Sequence, residues 1–505
     1  MARGGLAPPH TERDAVTARP LLLGIDEGTS AVKVVAYDLD LRPVATATRT
    51  VAVTHPRTGW VEQDPEQVLA AVVDAVAAVL DEADGTVVAC GIDHQGESVL
   101  AWDAESGRAL SPIVVWQDKR CEGLLAALSP SDTREVTHRS GLPIDAYFSA
   151  GKMAWLLAEG GLPRTADVRL GTVDAFLGDR LGVGHATDAS TASRTQLSGV
   201  VGSGETGWDP RLLTIFGVPA ASLPAIMDSA GELGELRHPR WRQPLPLHAR
   251  VVDQQAALAG SGCVRAGQVK ATYGTGVFVL AHLGDRRPGT DVRESGLLPT
   301  VAWHIAGQTQ YAVEGGVFTA GAFLRWLSQD LGLAADPAAL LDLARTVPDA
   351  AGVRILPALA GLGAPWWRPG ARGVVAGIGL ETGRANVARA AVEAITWRVA
   401  DIMAAVGPLM PVDRLRIGGG LSAHPLLAAL QADVLGIPVE RMEADATCAG
   451  VAGLAAVGAG IWSTTDQIAA RIRPAERVTP TLSPGPAADR AAWARFVERA
   501  AALLE

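Results

Sequence analysis

LLLGIDEGTSAVKVVAYD, Leu21 to Asp38, is the stretch whose reading decides the fold. An apolar run (Leu21, Leu22, Leu23, Ile25) leads into Asp26. Gly28-Thr29-Ser30 then supply a tight turn, and Val32, Val34 and Val35 resume an extended run. The pattern predicts a β-hairpin with a carboxylate at a strand end. Successive turn amides form a concavity for anions, and a carboxylate beside them can hold a hydrated divalent cation. Taken alone, the motif fits an ordinary hairpin turn equally well. A second copy shifts the balance: GQVKATYGTGVFVLAHLG, Gly267 to Gly284, again reads strand, Gly274-Thr275-Gly276 turn, strand, with Thr272 standing where the first copy has Asp26. Two such hairpins imply related halves facing each other across one cleft.

A chain of 505 residues suits two α/β domains, with a boundary expected at 262/263, so that 20–262 and 263–505 form the halves. With 48% hydrophobic and 19% charged residues, the composition is that of a packed globular protein. A formal charge of -10 offers no basic field for nucleic acid or an anionic membrane, although an acidic protein can still have a locally positive cleft. Cys90, Cys121, Cys263 and Cys448 lack CxxC spacing and read as buried thiols. The longest apolar run, Cys448 to Trp462, is rich in Gly and Ala and falls short of the roughly 20 residues needed to span a bilayer. It reads as a closely packed helix. The cytoplasm is the expected compartment.

Along the chain, Pro65 to Leu80 predicts a helix. The strand TVVACGI delivers Asp93-His94-Gln95-Gly96-Glu97-Ser98 at its carboxyl end, where α/β folds place ligand contacts. Gln95 and Glu97 suit the grasping of hydroxyls, whereas Asp93 and His94 fit a surface turn equally well. SPIVVWQDKR reads as the next strand, ending at Trp116, either an apolar wall or a core aromatic. Lys152 in YFSAGKMAWLLAE stands as a phosphate ligand or a surface lysine. TDASTASRTQL reads as a hydroxyl-rich loop before a strand, and Gly231 to Pro246 as a connecting excursion. In VDQQAALAG, Asp253 sits between a strand and an Ala-rich helix, a rigid place for a general base, and a helix N-terminus favours its ionised form. A simple helix cap is the alternative. YAVEGGVFTAGAF reads as strand, glycine turn and helix. The Trp366-Trp367 pair suits a surface cap or interdomain packing. Gly418-Gly419-Gly420, with Ser422 and His424 following, would let a flat purine or a phosphate approach the backbone. There is no GxxxxGK[ST] P-loop, and no strand-bound GxGxxG has the acid that a dinucleotide site needs.

From about Leu21 to Leu503 the chain resembles the FGGY family of carbohydrate kinases, of the actin-like superfamily, and within it the glycerol kinases most. The matching blocks include GIDEGTSAVK, GWVEQDP, PIVVWQDKR, TDASTASRT, VDQQAALAG, TYGTGVF, GLGAPWW and GGGLSAHPLL. The resemblance implies two actin-like (ribonuclease H-like) domains closing over ATP, magnesium and a small polyol or sugar. A terminal hydroxyl would be phosphorylated. No nucleic acid and no membrane insertion are expected, and a homodimer is left open.

Carried over by position, the resemblance makes Asp253 the base and gives Asp26 and Asp253 to the metal. Thr29, Ser30, Lys33, Gly274, Thr275, Gly276, Gly321, Gly419, Gly420 and His424 fall to the nucleotide. Gln95, Gly96, Glu97, Trp116, Tyr147, Asp253, Gln254 and Phe278 fall to the substrate. Two departures stand out: His424 replaces a usual asparagine, and Gly96 a usual arginine. Loss of that guanidinium fork is expected to free volume and to admit a four- or five-carbon alditol or a ketose beside glycerol. A non-catalytic actin-like nucleotide-binding scaffold is the remaining alternative.

Overall fold

The computed structural model describes residues 19–165, 167–200, 207–443, 445–481 and 487–503. Its α/β fold has two domains and a central cleft. The first sheet contains β1 (Pro20–Glu27), β2 (Ala31–Tyr37), β3 (Pro43–Thr50), β4 (Thr86–His94), β5 (Glu235–Leu236) and β6 (Leu245–Val252), in the spatial order β5-β6-β4-β1-β2-β3. The expected hairpin is β1 with β2, with Asp26 opposite Lys33. β1 is apolar on both faces because both are covered. Leu21, Leu23 and Ile25 join one core and Leu22 another. The first core includes α1 (Pro65–Glu82), which Asp64 caps and Pro65 opens, and which buries Val68, Val72, Val76 and Val79 along one stripe.

The second sheet repeats the scheme with β7 (Val269–Tyr273), β8 (Val277–Gly284), β9 (Leu298–Ile305), β10 (Gln308–Val317), β11 (Leu415–Gly418), β12 (Val439–Met442) and β13 (Pro474–Val478), ordered β9-β10-β8-β7-β11-β12-β13. In its β7–β8 hairpin Thr272 lies opposite Phe278, just as Asp26 lies opposite Lys33.

Two helices cross between the sheets. α2 (Asp253–Gly260) leaves the first sheet and touches β7, β8 and β9 of the second. α6 (Ala446–Gly458) follows β12 and lies on β1, β4 and β6 of the first. Before it come α3 (Gly321–Arg325), α4 (Arg384–Val406) and α5 (Pro425–Leu435). Glycine makes the crossing possible. A Cβ at Gly260 would stand 1.6 Å from the Ala446 carbonyl oxygen, and one at Gly450 1.9 Å from that of Ala256. Gly24 and Gly91 leave matching room on the strands, where a Cβ would come 2.3 Å from the Cys448 oxygen and 2.4 Å from that of Val451. This is why the Cys448–Trp462 run is so rich in small residues. Among the described residues no helix is long and apolar enough to cross a membrane, and all four cysteines are buried and free.

Several sequence expectations need correction. SPIVVWQDKR is strand only over Ile113–Val114. The longer strand is Val99–Asp103, which doubles back after Ser98 and pairs with Val168–Thr172. Gly315 and Gly316 form no turn. They lie inside β10, where α4 packs so close that a Cβ on Gly315 would be 2.6 Å from Ile402 Cγ2. TDASTASRTQL is a short strand, Ala186–Asp188, and a buried helical turn, Ala189–Ala192, rather than a loop before a strand. The Gly231–Pro246 excursion contributes the edge strand β5 and buries Trp241, whose indole N–H donates to the Val73 carbonyl at 3.1 Å.

Candidate active site

β1, β4 and β6 are neighbours and parallel in direction, so their carboxyl ends bring acids together from three distant segments. Asp26 closes β1, Asp93 stands beside it on β4, and Asp253 follows β6 at the head of α2. Burial pushes Asp26 up to about 6, against the pull of Asp93 and Lys33. Burial, aided by the charge of Asp26 and opposed by Lys270, pushes Asp253 up to about 6 as well. Asp93 is raised well above the carboxylate range by burial and by Asp26. Both Asp93 oxygens and Glu27 Oε2 are buried without a donor from the protein. Such an excess of carboxylate oxygen fits a cation at this corner. Among the described residues no three His, Cys, Asp or Glu side chains converge as a metal cluster. That suits magnesium, which commonly takes one or two carboxylates and completes its shell with phosphate and water.

The base candidate is held by a relay across the cleft. Asp253 Oδ1 accepts the Gln254 backbone N–H at 2.6 Å, and Oδ2 accepts the Gln254 side-chain amide at 3.2 Å. The Gln254 carbonyl in turn accepts from Lys270 Nζ at 2.6 Å, and Lys270 also donates to Thr272 Oγ1 at 2.9 Å. Burial lowers Lys270 to about 8, with Asp253 pulling the other way.

Beside Asp253 lies an aromatic wall drawn from both domains. The Trp116 ring meets Tyr147 edge-on at 5.7 Å and Phe278, on β8, at 6.4 Å. The Trp116 indole N–H donates to Thr29 Oγ1 at 3.0 Å, which ties this wall to the first hairpin turn. Glu97 does not stand alone: its Oε1 accepts from Arg194 Nε at 2.8 Å, and Arg194 Nη2 reaches Glu314 Oε1 on β10 at 2.8 Å.

The turn of the second hairpin is anchored to α3. Ala320 and Ala322 donate backbone N–H groups to the Thr275 carbonyl at 2.8 and 3.1 Å, and Gly321 donates to that of Gly274 at 3.1 Å. Gly321 must lack a side chain, because its Cβ would be 2.6 Å from the Gly274 oxygen. Gly419 adopts φ +87° and passes so near Tyr273 that a Cβ would fall 2.5 Å from its carbonyl oxygen. The two glycine turns therefore sit side by side. Gly274, Gly418 and Gly420 border open space, which fits the flat approach of a nucleotide to the backbone. Ser30 and Thr275 are exposed at the tips of their turns. Lys33 forms an ion pair with Asp445, which stands just ahead of α6.

The geometry revises the sequence reading at five places. Gln95 is not free to grasp a ligand: its amide donates to Glu27 Oε1 at 2.9 Å and Gln63 Oε1 at 2.8 Å, and its oxygen accepts from Ser98 at 2.8 Å. Gly96 frees no volume, because Val252 Cγ1 occupies the spot 2.6 Å from where a Cβ would be. Lys152 is neither a phosphate ligand nor a surface residue. It is fully buried and donates to the Tyr147 and Phe148 carbonyls at 2.6 and 3.0 Å, which braces the aromatic wall from behind. His424 is spent as a cap of α5, with Nδ1 accepting from Leu426 N–H at 3.3 Å and Nε2 3.3 Å from Asp342. His94 is no surface group. It is buried, 2.9 Å from Thr191 Oγ1 and 3.3 Å from Asp174. Of the tryptophan pair, Trp367 is the interdomain residue, packed with Leu142, Tyr147, Phe148 and Leu298, whereas Trp366 donates to Asp401 within the second domain. Sequence reasoning missed Arg194, Lys270 and Glu314. A charged residue inside an otherwise apolar or hydroxyl-rich run was the available signal for each.

The description "FGGY family of carbohydrate kinases" matches this chain twice, its N-terminal domain over residues 21–260 and its C-terminal domain over 269–459. A glycerol kinase of Aromatoleum aromaticum is 39% identical over 503 residues, spanning 95% of this chain and 98% of that protein. One from Gloeobacter violaceus is 40% identical over 486 residues, spanning 95% and 96%. Among solved structures, Plasmodium falciparum glycerol kinase with ADP superposes with a TM-score of 0.85 at 26% identity, over 95% of this chain and 98% of that one. Gluconate kinase from Lactobacillus acidophilus shares the fold at a TM-score of 0.86 and 20% identity, over 96% and 99%. The chain belongs to the FGGY family of carbohydrate kinases.

Proposed function

We propose that this protein transfers the γ-phosphoryl group of ATP to a terminal hydroxyl of glycerol or a closely related small polyol. The observation that carries the reading is the convergence of Asp253, Glu97 and the Trp116–Tyr147–Phe278 wall beside the two hairpin turns. Aromatic faces suit the C–H side of a polyol, and the acids suit its hydroxyls. In this reading Asp253 takes the proton of the attacking hydroxyl as its oxygen bonds to phosphorus and ADP leaves with the former bridging oxygen. The turns at Thr29-Ser30 and Gly274-Thr275-Gly276 hold phosphate oxygens, and Gly419 and Gly420 border the purine. Magnesium bound at Asp26, with Asp253 nearby, would neutralise the triphosphate during transfer. The filled space at Gly96 removes the basis for an enlarged pocket, so glycerol leads. The full length of two glycerol kinases near 40% identity supports the same choice.

The experiment is a coupled ADP-release screen over glycerol, erythritol, threitol, ribitol, xylitol, arabinitol and common ketoses. We expect glycerol to have the highest kcat/KM, and activity with ketoses alone would sink the reading. A second expectation concerns pH. The base works ionised and Asp253 is pushed up to about 6, so kcat/KM should fall about tenfold per unit as pH drops below about 6. Lys270 favours the ionised form, so Lys270→Met should move this acid limb to higher pH, whereas an unmoved limb would show that Lys270 does not act on the base.

A further inference from the structure

The site lacks an arginine at position 96, yet it does not lack a guanidinium. Arg194 arrives from the other side, on the helical turn that follows Ala186–Asp188. It is 1% exposed and lies in the same shell as Glu97 and Tyr147, with its guanidinium carbon 5.7 Å from the Tyr147 ring centre and 5.6 Å from that of Phe148. Its local segment is stitched to both domains. Ser190 Oγ accepts from the Val252 N–H at 3.1 Å, immediately before Asp253, while Ser193 Oγ contacts Thr300 Oγ1 at 2.9 Å and accepts from Val301 N–H at 3.1 Å on β9.

Within this frame the five N–H groups of Arg194 are unevenly used. Nε serves Glu97 of the first domain and Nη2 serves Glu314 of the second, each at 2.8 Å. Nη1 is buried and has no acceptor in the protein. A purely structural bridge between two carboxylates needs only the two nitrogens already engaged, and leaving charged donors buried without an acceptor is costly. A polyol hydroxyl is the chemistry that answers: it accepts from Nη1 with a lone pair and donates its own proton to a neighbouring carboxylate such as Glu97.

We infer that Arg194 is a specificity-determining residue of this site, offering Nη1 to a hydroxyl of the bound polyol that is not being phosphorylated while Nε and Nη2 hold Glu97 and Glu314 in place. This rests on the polyol kinase reading above. It also explains how Gly96 is tolerated. The fork missing from the strand end is supplied by a residue whose backbone lies elsewhere, and because its other hand grips β10, the hydroxyl contact is complete only when both domains are in place.

The test uses the full-length enzyme and the preferred polyol of the screen with its monodeoxy analogues; for glycerol these are 1,2- and 1,3-propanediol. A site that pairs a hydroxyl discriminates strongly against the analogue that lacks it. The wild type should disfavour at least one diol by about 100-fold or more in kcat/KM. Arg194→Lys keeps the charge but not the fork, and should narrow that ratio at least about tenfold while the KM for ATP stays within about threefold. Glu314→Gln, which loosens the bridge but leaves Nη1, should retain most of the ratio. If Arg194→Lys slows every substrate equally and leaves the ratio at the wild-type value, Arg194 is a structural bridge only and the inference is wrong. Should the variant fail to fold, the wild type still decides: turnover of both diols within about threefold of the parent polyol excludes the contact. Wild-type inactivity towards every polyol and sugar would overturn the kinase reading itself, a different result from an unchanged ratio.

Discussion

Asp253→Asn should lower turnover by roughly 100-fold or more, the usual scale for loss of a general base, and leave folding and nucleotide affinity near the wild type. The expectation follows from how the residue is held. Asp253 is nearly isosteric with Asn, and Oδ1, which accepts the Gln254 backbone N–H at 2.6 Å, survives the exchange. The contact altered is at Oδ2, where the Gln254 amide donates at 3.2 Å, and a rotation of that amide restores a partner. Neither glycine turn touches this side chain, so ADP titration should give an unchanged affinity. The acid limb near pH 6 should vanish from what activity remains, because the group responsible no longer ionises. Turnover within about threefold of the wild type would remove Asp253 from the role of base.

The second large effect is on stability and runs against helix propensity. Gly450 lies in the interior of α6, where Gly→Ala ordinarily stabilises by about 1 kcal/mol. Here the new methyl would stand 1.9 Å from the Ala256 carbonyl oxygen and close to the Gly260 nitrogen, both backbone atoms that no rotamer change can move. The helices must separate, which opens the core around Ala256, Ala259, Val451 and Leu454. Gly450→Ala should therefore destabilise by roughly 3 kcal/mol or more, which lowers the thermal midpoint by on the order of 5–10 °C. Gly123→Ala is the control: it is also helical, but its Cβ meets nothing within 4 Å, and its midpoint should hold or rise. Equal midpoints for the two variants would mean that the crossing is far more pliable than its spacing indicates.

The two hairpins, the strand-to-helix step at Asp253 and the small-residue helix were legible because each is written in consecutive residues. Turn glycines, alternation of apolar positions and helix signals are local properties. What escaped reading depends on which strands become neighbours. Asp93 acquires its unusual environment only because β4 pairs in register with β1, and Gln95 is consumed only because Glu27 and Gln63 lie across from it. The Gly96 departure was noticed, but its consequence was misjudged, since Val252 comes from a strand distant in sequence. Arg194 was hidden most deeply: its significance needs Glu97 and Glu314, one on each domain. The broad identity of the fold thus follows from short motifs, while the electrostatics of the site follow from sheet order.

The placement of α6 on the first sheet also sets a timetable for synthesis. β6 is finished at Val252, but the helix that covers Leu22, Val35, Ala89 and Val251 begins only at Ala446, 194 residues later (446 minus 252). At the usual ribosomal pace of about 5–20 residues per second, that apolar face waits about 10–40 s for its cover. The first half of the nascent chain therefore emerges as a client for chaperones rather than as a finished unit. A premature stop anywhere before Ala446 strips the first sheet of its lid although every one of its strands has been made.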